Sequence, residues 1–290
     1  MKRSQKILPS QDAWFEQSHY IRTPTQAGPY QTSHPWEDTP EDALNRARNT
    51  ARSHFVEFVV EGFSRFAQFY TTRQLGLRKD TDKAAHVAEA LLDLPEHVHH
   101  ELGNKGTGYT SGANYRKSLW STSRAYKVTC DFANVKKHRN IDRNDPLLRK
   151  IDGVKEVVAL VRYSDKQGVY YRSRKLLQAT LSDGSEHDLG ELLRESVLLW
   201  SDELRRLGIV PRQPALKSLL PRLAPRDDPR FQGPFRLLAT KGEYCEFLPK
   251  LLVYRSELDA ITTPRPGERV GKRGVQVEYV LEVGPSLFET

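Results

Sequence analysis

The spacing of apolar residues changes near residue 145, and this change constrains the fold more than any other feature of the chain. Before residue 145, apolar residues recur every three or four positions, which is the period of an α-helix buried on one face. After it, β-branched runs at 154–163 and 169–181 are separated by short polar turns, as is typical of β-strands. The sequence therefore predicts an α+β fold, in which a helical N-terminal half with an extended N-terminal arm precedes a C-terminal half of mixed strands and helix.

Local signals within this outline predict the bounds of the elements. The run Thr39-Pro40-Glu41-Asp42 is typical of a helix start, because proline and acidic residues favour the first turn. Pro95 predicts the end of a second helix, and the glycine-rich run 103–108 predicts a loop. The predicted helices cover 39–75, 81–95, 96–102, 113–138 and 189–207. Further strands are predicted over 235–240, 246–254 and 275–283.

These patterns divide the chain into an arm at 1–38, a helical domain at 39–145 and an α+β domain at 146–290. The arm is rich in proline, which breaks regular structure, but it also carries aromatic residues that disordered segments usually lack. We therefore expect it to pack on the protein's own core or on a protein partner. A proline-rich crossing at 209–234 separates the last predicted helix from the final strands.

The composition argues against several classes of protein. Of the 290 residues, 45 are Lys or Arg and 37 are Asp or Glu, which gives a net charge of +8. The mean hydropathy is −0.64, and the apolar runs are far shorter than the roughly 20 residues of a transmembrane helix. The basic N-terminus lacks the apolar stretch of a secretory signal, and two cysteines are too few for a disulfide framework. We therefore expect a cytoplasmic protein that does not associate with membranes.

Positive charge is concentrated in residues 101–150, which hold 11 Lys and Arg against 4 Asp and Glu. Between residues 109 and 143, aromatic side chains are interleaved with these cations. Cations neutralise phosphates and release counterions, whereas planar rings can stack on bases, so the segment predicts a nucleic-acid-binding surface. The predicted phosphate contacts are Arg116, Lys117, Arg124, Lys127, Lys136, Lys137 and Arg139. The predicted stacking residues are Tyr115, Trp120 and Tyr126.

Together these features favour a non-catalytic nucleic-acid-binding component of a nucleoprotein or multi-subunit assembly, which needs no cofactor. The N-terminal arm would engage its protein partners. One alternative is a structural subunit whose basic face binds an acidic protein, because the same cations attract either kind of polyanion.

A second alternative is a metal-dependent enzyme that acts on nucleic acid or nucleotide with nuclease-like chemistry. His97 and Glu101 are one helical turn apart, and with the neighbouring His100 they are candidate ligands for a divalent metal. Carboxylates also gather where the helical half gives way to the first long strand, and nucleases hold their metal with such groups. This second group consists of Asp142, Asp145, Asp152 and Glu156, with Lys155 among them.

Overall fold

The computed structural model describes residues 50–75, 78–141, 145–210, 222–239, 250–268 and 279–283. Helices dominate up to residue 138, and strands with a further long helix follow, which confirms the predicted α+β fold. The predicted arm at 1–38 and the predicted helix start at Thr39 lie outside the described residues.

The first described helix changes its winding along its length. A π-helical turn, Phe55–Val60, leads into the α-helix α1, Glu61–Ala67, and a 3₁₀ turn, Gln68–Thr71, follows. Two threonine hydroxyls at its C-terminal end each donate to a backbone carbonyl at 3.0 Å, which favours termination over a further helical turn. The helix therefore ends before the predicted residue 75, which lies instead in the short strand β1, Gln74–Leu75.

The second helix, α2, is longer than predicted and spans Arg78–Thr107. It continues through Pro95, where the sequence predicts an end, because buried apolar residues on both sides of the proline anchor it in the core. The loop predicted at 103–108 is instead a kink followed by a further turn. Gly103 takes a positive φ of 64°, and the Thr107 hydroxyl donates to the Gly103 carbonyl at 2.9 Å.

The single helix predicted over 113–138 is in fact two helices, α3 (Gly112–Thr122) and α4 (Arg124–His138). Ser123 separates them with an extended backbone, at φ −139° and ψ 108°. Its Oγ accepts a hydrogen bond from the Tyr126 amide at 3.1 Å, so the serine caps the N-terminus of α4. The chain thus turns at a point where the apolar periodicity shows no interruption.

The C-terminal half is built on a five-stranded sheet of order β4-β3-β2-β6-β7. Its centre is an antiparallel hairpin of β2, Val154–Asp165, and β3, Gly168–Thr180, which confirms the two long predicted strands. Gly168 has a φ of 110°, which only glycine adopts readily, and this conformation closes the two-residue turn. The other strands are β4 (Glu186–Asp188), β6 (Lys250–Arg255, parallel to β2) and β7 (Ala260–Thr262).

A second sheet has the order β1-β5-β8, with β5 at Phe235–Ala239 and β8 at Tyr279–Val283. All of its pairings are parallel. Strands β1, β4 and β7 are missing from the sequence prediction, since two or three residues are too few to show a strand alternation. The predicted strand parts at 246–249 and 275–278 lie outside the described residues.

The long helix α5, Leu189–Arg206, lies close to the predicted 189–207 and joins the two halves of the fold. Its inner face carries residues that are 0% exposed, including Leu193, Val197 and Trp200. The buried residues of the helices and of the five-stranded sheet form one hydrophobic cluster. The boundary predicted near residue 145 therefore marks a change of secondary structure within a shared core.

Candidate nucleic-acid interface

Four of the predicted phosphate contacts are held in ion pairs. The pairs are Arg116–Glu96, Arg124–Asp183, Lys127–Asp145 and Lys136–Asp82. The side chains of Arg116, Lys127 and Lys136 are only 20–22% exposed. Each of these cations is already neutralised by a carboxylate, so a phosphate would have to displace that partner. They contribute less to an anion-binding surface than their number in the sequence implies.

Two of the three predicted stacking residues belong to the core. Tyr115 and Tyr126 are 1% and 0% exposed, and both rings meet the buried Trp200 edge-on. The Tyr126 hydroxyl donates to the Leu91 carbonyl at 3.0 Å, and burial raises the pKa of both tyrosines. Neither ring offers a face to solvent, so the structure does not place them where a base could stack. Trp120 is half-buried and packs against the same core.

The helical period explains this difference from the prediction. An amphipathic helix places its large aromatic residues on the inner face and its cations on the outer face. The alternation of cations and aromatic residues along α3 and α4 therefore reflects two faces of each helix. It does not indicate a single mixed surface.

Three predicted cations remain available. Lys117, Lys137 and Arg139 are exposed, and no carboxylate among the described residues forms an ion pair with them. Lys117 lies on α3, whereas Lys137 and Arg139 lie together at the C-terminal end of α4. The structure therefore concentrates the available positive charge at the end of α4.

At residues 149–150 the chain comes back to this end of α4 and adds two cations there. Asn140 and Lys150 form an isolated antiparallel bridge, and the Ile141 amide donates to the Arg149 carbonyl at 3.1 Å. Arg149 and Lys150 are exposed and lie beside Arg139. We define the basic patch as Lys137, His138, Arg139, Arg149 and Lys150.

A buried carboxylate holds the returning chain in place. Asp131 on α4 is 0% exposed, and its Oδ2 accepts from the amide of Leu147 at 2.7 Å and from that of Leu148 at 3.4 Å. These bonds attach the chain to α4 immediately before Arg149 and Lys150. Both segments that form the patch, the end of α4 and the returning chain, are therefore held by the fold.

The helix dipole accounts for only part of this charge. Lysines and histidines in the last turn of a helix offset the partial negative charge of its free carbonyls, and Lys137 and His138 occupy that turn. Arg149 and Lys150 lie outside the helix, so its dipole does not explain their position. Sequence reasoning missed these two residues, because their proximity depends on the bridge across residues 140–150 and not on a local period.

The candidate metal ligands do not form a centre within the part of the chain that the structure describes, where no three His, Cys, Asp or Glu side chains are grouped to hold a metal. His97 stacks near His54, with ring centroids 4.3 Å apart, and burial is the main cause that lowers the pKa of His54. His100 Nδ1 lies 3.6 Å from Glu101 Oε1, and the His100 side chain is 87% exposed. These are contacts between two side chains, and among the described residues neither pair belongs to a group of three possible metal ligands.

The carboxylates predicted as a nuclease-like group are likewise spread out. Asp145 pairs with Lys127 at 3.0 Å, Asp152 is exposed in the 3₁₀ turn Ile151–Gly153, and Glu156 lies within β2. Asp142 lies outside the described residues.

Neither a family model, nor a curated protein, nor a solved structure matches this chain. Among the described residues, the helices are too short or too polar for any of them to cross a membrane. A function for the chain must therefore be inferred from the arrangement of its own residues.

Proposed function

We propose that the chain is a non-catalytic nucleic-acid-binding component of a nucleoprotein or multi-subunit assembly, and that it contacts phosphates through the basic patch. The observation that carries this proposal is the bridge between Asn140 and Lys150, because it places two segments that carry exposed cations side by side. A nucleic acid presents a closely spaced row of anions, and clustered cations release its counterions on binding.

The buried aromatic residues shape the kind of binding that we expect. Phosphate contacts position a protein on nucleic acid but carry no sequence information. Because Tyr115 and Tyr126 are in the core, the patch would act mainly by charge, with little sequence preference. The binding should be strongly salt-dependent and modest in affinity.

Two further parts of the proposal concern the setting of the protein. The aromatic arm at 1–38 would bind protein partners within the assembly. The assembly would be cytoplasmic, since a chain with two cysteines is not stabilised by a disulfide framework and suits a reducing compartment.

The test is a charge reversal in the patch, compared with an equal charge reversal elsewhere. The double variant Lys137→Glu/Lys150→Glu removes two patch cations, and Lys105→Glu/Lys166→Glu is the matched control with the same change of net charge. Lys166 lies in the β2–β3 turn, about 40 Å from the start of β2 at 3.3 Å per residue. Lys105 is exposed near the C-terminal end of α2, which runs antiparallel to α4 and so away from the patch, and no carboxylate among the described residues forms an ion pair with it.

We expect the patch variant to bind fluorescently labelled DNA or RNA at least about tenfold more weakly than the wild type at low salt, because two lost charge contacts each contribute about 1 kcal/mol or more. The control variant should lose less than about threefold. Fluorescence anisotropy with single- and double-stranded DNA and RNA measures both values. Equal losses in the two variants, or no binding by the wild type, would contradict the proposal.

The same titrations separate the proposal from its rivals. Gel analysis of the labelled strands with and without Mg²⁺ would detect cleavage, and Mg²⁺-dependent cleavage would replace the non-catalytic role with the nuclease-like one. If no nucleic acid binds but an acidic protein is retained by the wild type and not by the patch variant, the patch is a protein-binding face.

A further inference from the structure

A cleft of about 420 Å³ opens between the five-stranded sheet and the N-terminal half of α5. This volume is within the range of small-molecule sites in proteins. Its walls come from β3, β4, α5, β6 and β7. Arg222, in the proline-rich crossing, also lines it. None of the residues of the basic patch lines it.

One side of the cleft is apolar. Leu176 of β3, Leu192 of α5, Leu252 of β6 and Ile261 of β7 all line it. Leu176, Leu192 and Leu252 are 7–9% exposed, so they present a limited apolar surface that a ligand can cover. Burial of an aliphatic chain on such a surface is favourable in proportion to the area removed from water.

Most of the charged groups in the cleft are paired with each other. Arg222 donates to Glu191 through two nitrogens, one of them Nε at 2.8 Å from Oε1. Lys250 forms an ion pair with Glu186. Arg174 donates to the hydroxyl of Tyr163 at 3.0 Å. The cations of the cleft are thus held by groups of the protein and do not form an anion site.

Glu195 differs from these carboxylates. It lies one helical turn after Glu191 on the same face of α5 and lines the cleft, and no cation within the described residues forms an ion pair with it. The residue is exposed at the opening of the cleft, and partial burial, and then the nearby Glu191, raise its pKa. An unpaired carboxylate above an apolar wall is complementary to an ammonium group that carries an aliphatic chain.

Asp188 is the second carboxylate in the cleft. It caps α5 by accepting from the Gly190 amide at 3.1 Å, and it also accepts from the Tyr70 hydroxyl. Its Oδ1 accepts both of these bonds, so Asp188 is already engaged by the protein and is not the main charge partner for a ligand.

From this arrangement we propose that the cleft binds a small aliphatic primary amine, with the ammonium group at Glu195 and the hydrocarbon chain on the leucine-lined wall. Glu195 contributes one negative charge that no ion pair within the described residues neutralises, so a ligand with one ammonium group fits the cleft better than a polyamine. This binding is independent of the proposed nucleic-acid contact, since the two sites share no residue.

The test is a titration of the full chain with hexylamine, measured by isothermal titration calorimetry. Titrations with 1-hexanol and hexanoate, which have the same chain length but no ammonium group, provide the comparison. We expect hexylamine to bind more tightly than either of the other two. Affinity should rise from butylamine to hexylamine by up to about fourfold per methylene, which is the conversion of about 0.8 kcal/mol per buried CH₂.

The variant Glu195→Gln keeps the shape of the side chain and removes its charge, and we expect it to weaken hexylamine binding by about tenfold or more. Asp202→Asn, on the same helix but outside the cleft, is the matched control and should bind like the wild type. Hexanol binding as tightly as hexylamine, or equal losses in both variants, would overturn the proposal. Nucleic-acid binding should be unchanged in Glu195→Gln, and amine binding unchanged in Lys137→Glu/Lys150→Glu, so the two proposals can fail separately.

Discussion

Two carboxylates, Asp131 and Asp188, show how single residues support the two candidate sites. Asp131 accepts hydrogen bonds from two backbone amides and so fixes the chain that carries two of the five residues of the basic patch. Asp188 caps the start of α5 and lines the cleft, and burial raises its pKa to about 7. The first is held in place by backbone donors, whereas burial disfavours the charged form of the second.

Replacement of Asp131 with alanine should destabilise the protein. The amides of Leu147 and Leu148 would lose their acceptor, and a buried donor left without a partner costs about 1–3 kcal/mol. We expect the free energy of unfolding, measured by urea denaturation, to fall by about 2–4 kcal/mol. Asp131→Asn retains an acceptor oxygen and should lose less. An alanine variant as stable as the wild type would show that the returning chain is held by other contacts.

Asp188 makes stability depend on pH in a defined direction. An aspartate in the unfolded chain has a pKa of about 3.9, whereas the pKa of folded Asp188 is about 7, so the fold favours its protonated form. The stabilisation from this group is full below about pH 4 and is lost as pH rises through about 7.

Asp188→Asn should remove this dependence, because asparagine stays neutral and also caps helices well. The substitution should raise the free energy of unfolding more at pH 8 than at pH 4. The difference is at most about 4 kcal/mol, which is the free energy that corresponds to a pKa of about 7 in the folded protein and about 3.9 in the unfolded chain. Urea denaturation at the two pH values measures the difference. An equal effect of the substitution at both values would contradict the raised pKa.

At the scale of elements, the division between α3 and α4 was not predictable from apolar spacing, because both helices continue the same period through residue 123. The signal that marks the division is the short run Ser121-Thr122-Ser123, whose side chains compete for backbone hydrogen bonds. Pro95 is the opposite case, since tertiary packing carries α2 through a residue that usually ends a helix.

Loss of the Ser123 cap should therefore have a specific cost. Ser123→Ala removes the bond from the Tyr126 amide, and we expect it to lower the free energy of unfolding by about 1 kcal/mol. Ser121→Ala is the matched control: Ser121 is exposed and its hydroxyl donates only to the Ser118 carbonyl within α3. Thermal or urea denaturation of both variants checks the difference. Equal stability of the two would mean that Ser123 does not act as a cap.

For the molecule as a whole, the order of helices and strands follows from local spacing, whereas both sites depend on contacts between distant residues. The sequence locates the excess of positive charge at 101–150, but not which cations are neutralised by carboxylates such as Glu96 and Asp183. Arg149 lies near Arg139 because the backbone bridge between Asn140 and Lys150 brings the two segments together. The cleft joins β3, β4 and α5, which are consecutive in the chain, to β6, which begins at Lys250, far along the chain from the end of α5 at Arg206, so no local pattern predicts it.

The central claim is that the basic patch contacts phosphates, and the salt dependence of binding tests it most directly. Each phosphate contact on duplex DNA adds about 0.9 to the slope of log K against log salt concentration. With anisotropy titrations between about 50 and 200 mM salt, we expect the slope for Lys137→Glu/Lys150→Glu to be smaller than that of the wild type by about 2. The slope for Lys105→Glu/Lys166→Glu should match the wild type. A patch variant with the wild-type slope would contradict the claim, because its two lysines would then make no contact with phosphate.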